Sequence, residues 1–139
     1  MASIASALRT KLLSVSAISS LIGQRMYTDW MPPKAATPCI VYSRISTLRD
    51  HYLADVTRSA HSRFEVVCIA DSRAQADQVA EAVRKSGICS YQGTTDGYLF
   101  HGTEIDSGDE YGDDPPNDGS QVHRYWVRFD LMVHYSEAS

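Results

Sequence analysis

Residues 123–135 read HRYWVRFDLMVHY. After His123 the odd positions are Tyr125, Val127, Phe129, Leu131, Val133 and Tyr135. The even positions are Arg124, Trp126, Arg128, Asp130, Met132 and His134. The period is two, apolar on one face and mostly polar on the other, and it predicts a long antiparallel strand lying on a core. A helical period of about 3.6 would thread Arg128 and Asp130 into the apolar stripe, so a helix fits poorly.

The rest of the chain must supply the partners and the cover for that strand. Residues 63–70 are dense in β-formers (Phe64, Val66, Val67, Ile69) and predict a second strand. Residues 71–86 predict a helix. Ser72 with Gln75 three residues on resembles a capping box. Ala76, Val79, Ala80 and Val83 line one face, and the alanines let the helix sit close on a sheet. Gly87 suits the position after that helix, with Ile88 folding back on Val83.

Upstream, Ile4, Leu8, Leu12 and Val15 recur at helical spacing, with Ser3 as N-cap. A second short helical piece through Ile18, Leu21 and Ile22 ends at Gly23. Residues 24–38 form a connection in which Pro32, Pro33 and Pro38 prevent a helix. Its large side chains, Tyr27, Trp30 and Met31, are expected to tuck inwards. Residues 39–46 read as a strand led by Pro38. Residues 47–62 are polar and mixed, and suggest two strand ends and a long hairpin tip whose register the hydrophobic code does not set. A weaker strand at 97–105 is anchored by Tyr98, Phe100 and Ile105. Residues 106–121, rich in Gly, Pro, Asn and Asp, read as a loop.

These elements make an α+β fold: an antiparallel sheet of about four strands, with an N-terminal helix and one Ala-rich helix packed on it. The chain of 139 residues is the size of one domain. It is 43% hydrophobic and 22% charged, so a packed core is expected and wholesale disorder is not. Net charge is −4, which argues against bulk nucleic-acid binding. The first 28 residues contain Arg9, Lys11 and Arg25 and no acid, and an ordinary helix is preferred there over a targeting segment. The basic face is too sparse for a membrane anchor, and no apolar run is of spanning length. Cys39, Cys68 and Cys89 have neither CxxC nor zinc spacing; Cys39 and Cys68 lie in strand-like runs and read as buried reduced thiols.

No catalytic signature emerges. The chain has no HExxH, nucleophile elbow, phosphate loop or dinucleotide fingerprint. His51, His61, His101, His123 and His134 show no ligand-like spacing, although His101, His123 and His134 fall on predicted strands. Glu104, Asp106, Asp109, Glu110, Asp113, Asp114 and Asp118 cluster as a hard cation would want, but their spacing is irregular and Pro115 and Pro116 stand where a closing turn would go. No cofactor is expected. Beside a metal site, three readings of the acids remain: a solvated loop, a charged partner surface, or a surface that repels a polyanion. Arg44, Arg49, Arg58 and Arg63 bracket the first two strands. A complementary contact between this arm and the acidic loop of a neighbouring copy is a further hypothesis. Its interface residues would be Arg49, Asp50, His51, Tyr52 and Arg58 on the arm, and Asp106, Asp109, Glu110, Asp113 and Asp114 on the loop.

The stretches LRTKLLSVSAISSLIGQRMY (8–27), PCIVYSRIS (38–46), SRFEVVCIADSRAQADQVAEAVRKSG (62–87) and HRYWVRFDLMVHY (123–135) together resemble the tail-completion, or tail-terminator, family of long-tailed bacteriophages. The shared pattern is a leading helix with a Gly-bounded turn before a Tyr, a Pro-led strand, a strand running into an Ala-rich helix, and a closing alternating strand. The acidic insertion at 106–118 is not part of it. The resemblance covers nearly the whole chain and implies a single tail-terminator-like domain over 1–139. It implies a virion structural protein, not an enzyme, that forms a ring, commonly a hexamer, at the head-proximal end of the tail tube. Such a ring ends tail polymerisation and joins tail to head. The implied partners are further copies of the chain, the tail tube protein, the head–tail connector and DNA passing through the lumen without specific binding; no membrane is involved. The implied location is the virion tail and neck, assembled in the host bacterial cytoplasm. Within the same class the alternative is a head–tail connector, or neck, protein. From another class it is a small metal-binding or enzymatic domain using the acidic loop.

Overall fold

The computed structural model describes residues 3–32, 35–52, 55–105, 109–114 and 123–137. In chain order the elements are α1 (Ile4–Leu13), α2 (Ser16–Ile22), β1 (Met26–Thr28), β2 (Cys39–Tyr52), β3 (Asp55–Ala70), α3 (Arg73–Arg84), β4 (Thr94–Thr95), β5 (Tyr98–Ile105), β6 (Glu110–Asp114) and β7 (Arg124–Glu137). A single 3-10 turn, Ile88–Ser90, follows α3.

The described strands form one seven-stranded sheet in the order β1-β2-β3-β7-β5-β4, and β6 also pairs with β7. The expected antiparallel sheet of about four strands is therefore too small. It is also mixed, because β1 runs parallel to β2. Three strands are additions: the short β4, in a stretch given no element, and two in segments read as connection or loop. Met26–Thr28 is strand because Arg9 reaches from α1 to the carbonyls of Met26 and Gln24 (3.0 and 3.1 Å), holding that backbone beside β2. Glu110–Asp114 is strand for reasons given below.

β7 is the centre of the sheet. Along one edge it pairs with β3 from Ser59↔Ser136 to Ala70↔Tyr125. Its other edge is shared: β5 takes Leu131–Glu137 and β6 takes Arg124–Arg128. Val127, Phe129, Leu131, Val133 and Tyr135 are buried, as the period-two pattern requires. Opposite them, Phe64, Val66, Cys68 and Ala70 of β3 are also buried.

The three helices cover this one face. Ile4, Ala7, Leu8 and Leu12 of α1, Ile18 and Ile22 of α2, and Ala76, Val79, Ala80 and Val83 of α3 join a single core. Burying each Leu, Ile or Phe contributes about 1.5–3 kcal/mol relative to exposure. Ser3 and Ser72 cap α1 and α3 by accepting from Ser6 N (3.1 Å) and Gln75 N (3.2 Å). Gly87, at φ 85°, takes the left-handed turn after α3. Cys39 and Cys68 are buried free thiols, and Cys89 is exposed. Trp30 departs from expectation: it is 63% exposed, while Met26 supplies the buried side chain of that connection.

Candidate assembly interface

The β2–β3 hairpin runs past the helices that cover the core. Along the helix side of β2 the residues change from apolar to basic: Ile40 and Tyr42, then Arg44, then Thr47 and Arg49. Across the ladder these last three face Phe64, Ser62 and Ala60. Arg44 and Arg49 are five residues apart, and in a regular strand they would point to opposite faces. A register shift between Arg44 and Ser46 adds a residue and brings both to the same side.

There they line a cavity of about 220 Å³, with Ile4, Ala60, Tyr98, Tyr135 and one acid, Glu137, among its walls. One wall residue, Tyr135, joins a buried hydroxyl group: Ser62 is fully buried, 2.7 Å from the Thr47 hydroxyl and 3.1 Å from the Tyr135 hydroxyl. Among the described residues, neither Arg44 nor Arg49 forms an ion pair. Ile45 and Leu48 on the same strand are 55% and 62% exposed. Beyond Tyr42, the outer edge of β2 has no strand partner among the described residues.

The other end of β7 is acidic. β6 forms although its sequence reads as loop, and two features explain it. Gly112 lies opposite Trp126, and its missing side chain leaves the space the indole fills. Cations from distant elements neutralise the carboxylates. Arg128 binds Glu110 and lies 3.6 Å from Glu65. Arg84 of α3 binds Asp109 and Glu81. Burial works against the Arg84 charge, but its hydrogen bonds to Glu81 and Asp109 outweigh that and raise its pKa. His123 sits 2.7 Å from Asp113 and stacks on Tyr125. Tyr111 and Asp113 pair with Val127 and Tyr125, so both lie on the helix side of the sheet, as Arg44 and Arg49 do. Tyr111 is 54% exposed, and the outer edge of β6 has no strand partner among the described residues.

Arg63 does not share the side of Arg44 and Arg49: it lies on the face away from the helices, 3.0 Å from Asp130. That face carries mixed charges and a shallow groove between Val67, Ile69 and Trp126. The side chains of Asp50, His51, Tyr52, Arg58 and Asp114, and the whole of Asp106, lie outside the described residues. Of the expected interface residues, Arg49, Asp109, Glu110 and Asp113 can be placed, with Arg49 at one end of the sheet and the three acids at the other. Arg44, counted in the arm but not among those interface residues, lines the same cavity as Arg49.

Among the described residues the histidines form no single cluster: His61 and His134 have ring centres 5.5 Å apart, His101 bonds Ser136, and His123 pairs with Asp113. Among the described residues, no three His, Cys, Asp or Glu side chains come together as metal ligands. Nor is any described helix long and apolar enough to cross a membrane.

A profile of the family described as tail completion protein gp17 matches residues 6–86, from α1 to the end of α3. No curated protein matches the chain. Among solved structures, a chain from "Virion of native gene transfer agent (GTA) particle" has the same fold, with a TM-score of 0.56 at 16% identity. The match covers 96% of this chain and 99% of that one.

Proposed function

We propose that this chain, which belongs to the tail completion protein gp17 family, forms a hexameric ring at the head-proximal end of the phage tail tube, ends tail polymerisation and joins tail to head. Family membership makes it a structural, non-enzymatic component of a phage-like virion tail. The finer role rests on one observation. Among the described residues, two of the sheet's open strand edges are of opposite character: β2 beyond Tyr42, with Arg44 and Arg49, and β6, with Glu110 and Asp113.

An open edge is a ready template for another chain. Two different edges on one molecule join copies head to tail, and such contacts close into rings when the rotation allows. On this reading residues 1–139 act as one tail-terminator domain assembled in the host bacterial cytoplasm. The ring's two outer surfaces meet the tail tube protein and the head–tail connector, and DNA passes through a lumen that its net negative charge keeps from adhering. A role in metal chemistry is less well supported, because Asp109, Glu110 and Asp113 are engaged by Arg84, Arg128 and His123 of the same chain.

The test is particle imaging after disruption of the gene. Tails of uncontrolled length are expected. Tails of normal length beside unjoined heads would assign the chain to the connector instead, and normal infectious particles would sink both roles.

A further inference from the structure

The basic cavity and the acidic strand lie on the same side of the sheet but at its two ends. Asp113 pairs with Tyr125, and the cavity wall is formed by Tyr135, ten residues further along β7. At a rise of about 3.3 Å per residue the separation is roughly 30 Å. The acidic strand therefore cannot reach the cavity of its own chain.

We propose that the Arg44–Arg49 cavity is a binding site for the Tyr111–Asp113 face of β6 from a second copy of this chain. The chemistry of the two surfaces matches. The cavity offers two guanidiniums, unpaired among the described residues, against one carboxylate, that of Glu137, above walls of Ile4, Ala60, Tyr98 and Tyr135. β6 offers a carboxylate and, two residues away on the same face, a half-exposed aromatic ring. Guanidinium forks hold carboxylates in defined geometry, and a neighbouring aromatic supplies buried area at small entropic cost.

Asp113 is the acid best suited to the exchange. Its present partner is a histidine, and its side chain is 47% exposed. Asp109 is held by Arg84 and only 13% exposed. Glu110 points to the other face, into Arg128. The span from Glu104 to Asp118 holds seven acids and no lysine or arginine in the sequence.

This inference rests on the ring reading, since it names the contact from which the ring would be built. The test is a charge swap on the full chain, read by mass in solution and by imaging. Arg44→Glu with Arg49→Glu sets acid against acid, and Asp113→Lys sets base against base. Each variant alone is expected to associate roughly ten-fold or more weakly than wild type. Mixed one to one they should reassemble, because an alternating ring contains only native and fully swapped contacts. Recovery in the mixture also shows that both variants are folded.

Wild-type assembly should weaken between about 0.15 and 1 M salt, as a screened contact does. Rings that persist in either variant alone would overturn the contact and leave the ring reading standing. So would two variants with native circular dichroism that fail to recover on mixing. If a glutamate or lysine variant misfolds, Arg44→Gln with Arg49→Gln and Asp113→Asn replace them, and undiminished assembly in both neutral variants would overturn it equally. A wild-type chain that stays monomeric at millimolar concentration would overturn the contact too, while the ring on assembled tails would still be judged by tail length.

Discussion

Gly112 lies directly across the β6–β7 ladder from Trp126, and a β-carbon on it would sit 2.1 Å from the indole ring. No real contact is that short, so the glycine is required by the space the tryptophan fills and not by a special backbone angle. Gly112→Ala should therefore push Trp126 aside or release β6, at a cost of about 1–3 kcal/mol. Thermal melting measures it. If the clash is the cause, Gly112→Ala should cost much less in a Trp126→Ala background, and a cost that does not depend on residue 126 would refute the account.

That pair also shows where sequence reading stops. β7 is legible because one of its faces is fully buried, and burial writes a period of two into the chain. α3 is legible because its cap and its alanine face are local. β6 is not. Glu110, Gly112, Asp113 and Asp114 have the composition of a loop, and what makes them a strand lies elsewhere: the Trp126 ring, Arg128 on β7 and His123 beyond. The candidate site is legible only as charge. The acids stand out as a run, and the arginines of the arm can be counted. That Arg44 and Arg49 share a side depends on one register shift in a hairpin whose sequence shows no apolar alternation to fix its pairing. No local signal marks that shift, and none separates Arg63, which the pleat sends to the opposite face beside Asp130.

The hydroxyls joined to the cavity wall through Tyr135 should matter more than their number suggests. Ser62 has no exposure and sits between Thr47 and Tyr135. Ser62→Ala strips both neighbours of a partner and should destabilise by about 1–3 kcal/mol. Tyr135→Phe should cost less, because Ser62 keeps Thr47. Urea denaturation of the two variants orders them, and the reverse order would mean that the tyrosine hydroxyl, not Ser62, is the hub.

Cysteine chemistry should be selective. Burial raises the pKa of Cys68 far above the ordinary thiol range, and burial also raises that of Cys39 despite nearby Arg124 and Arg25. In the folded protein at pH 8 a thiol reagent should label Cys89 alone, and all three after unfolding. The same shift has a sign for stability. A thiol that stays protonated when folded but ionises when unfolded gives the unfolded state fewer protons at high pH, so stability should fall as pH rises above about 9. Cys68→Ala should flatten that fall. An equal slope in wild type and variant would show that other groups cause it.

Two arginines hold the acidic strand, and they should not be equivalent. Arg128 is 36% exposed and its partner Glu110 is 63% exposed, so water and salt screen the pair. Arg128→Met should cost less than about 1 kcal/mol, and less again in high salt. Arg84 ties α3 to Asp109, whose side chain is only 13% exposed. Arg84→Met leaves that carboxylate mostly buried without its cation. The cost should lie between that of a surface pair and the roughly 3–5 kcal/mol of a fully buried one, so about 2 kcal/mol is expected. Asp109→Asn should return part of the loss in the Arg84→Met background, since a neutral amide is cheaper to strand than a charge. Urea denaturation of the two single variants and the double variant completes the cycle. Equal costs at Arg84 and Arg128 would mean that Asp109 is as well hydrated as Glu110, and that α3 does not anchor the acidic end of the sheet.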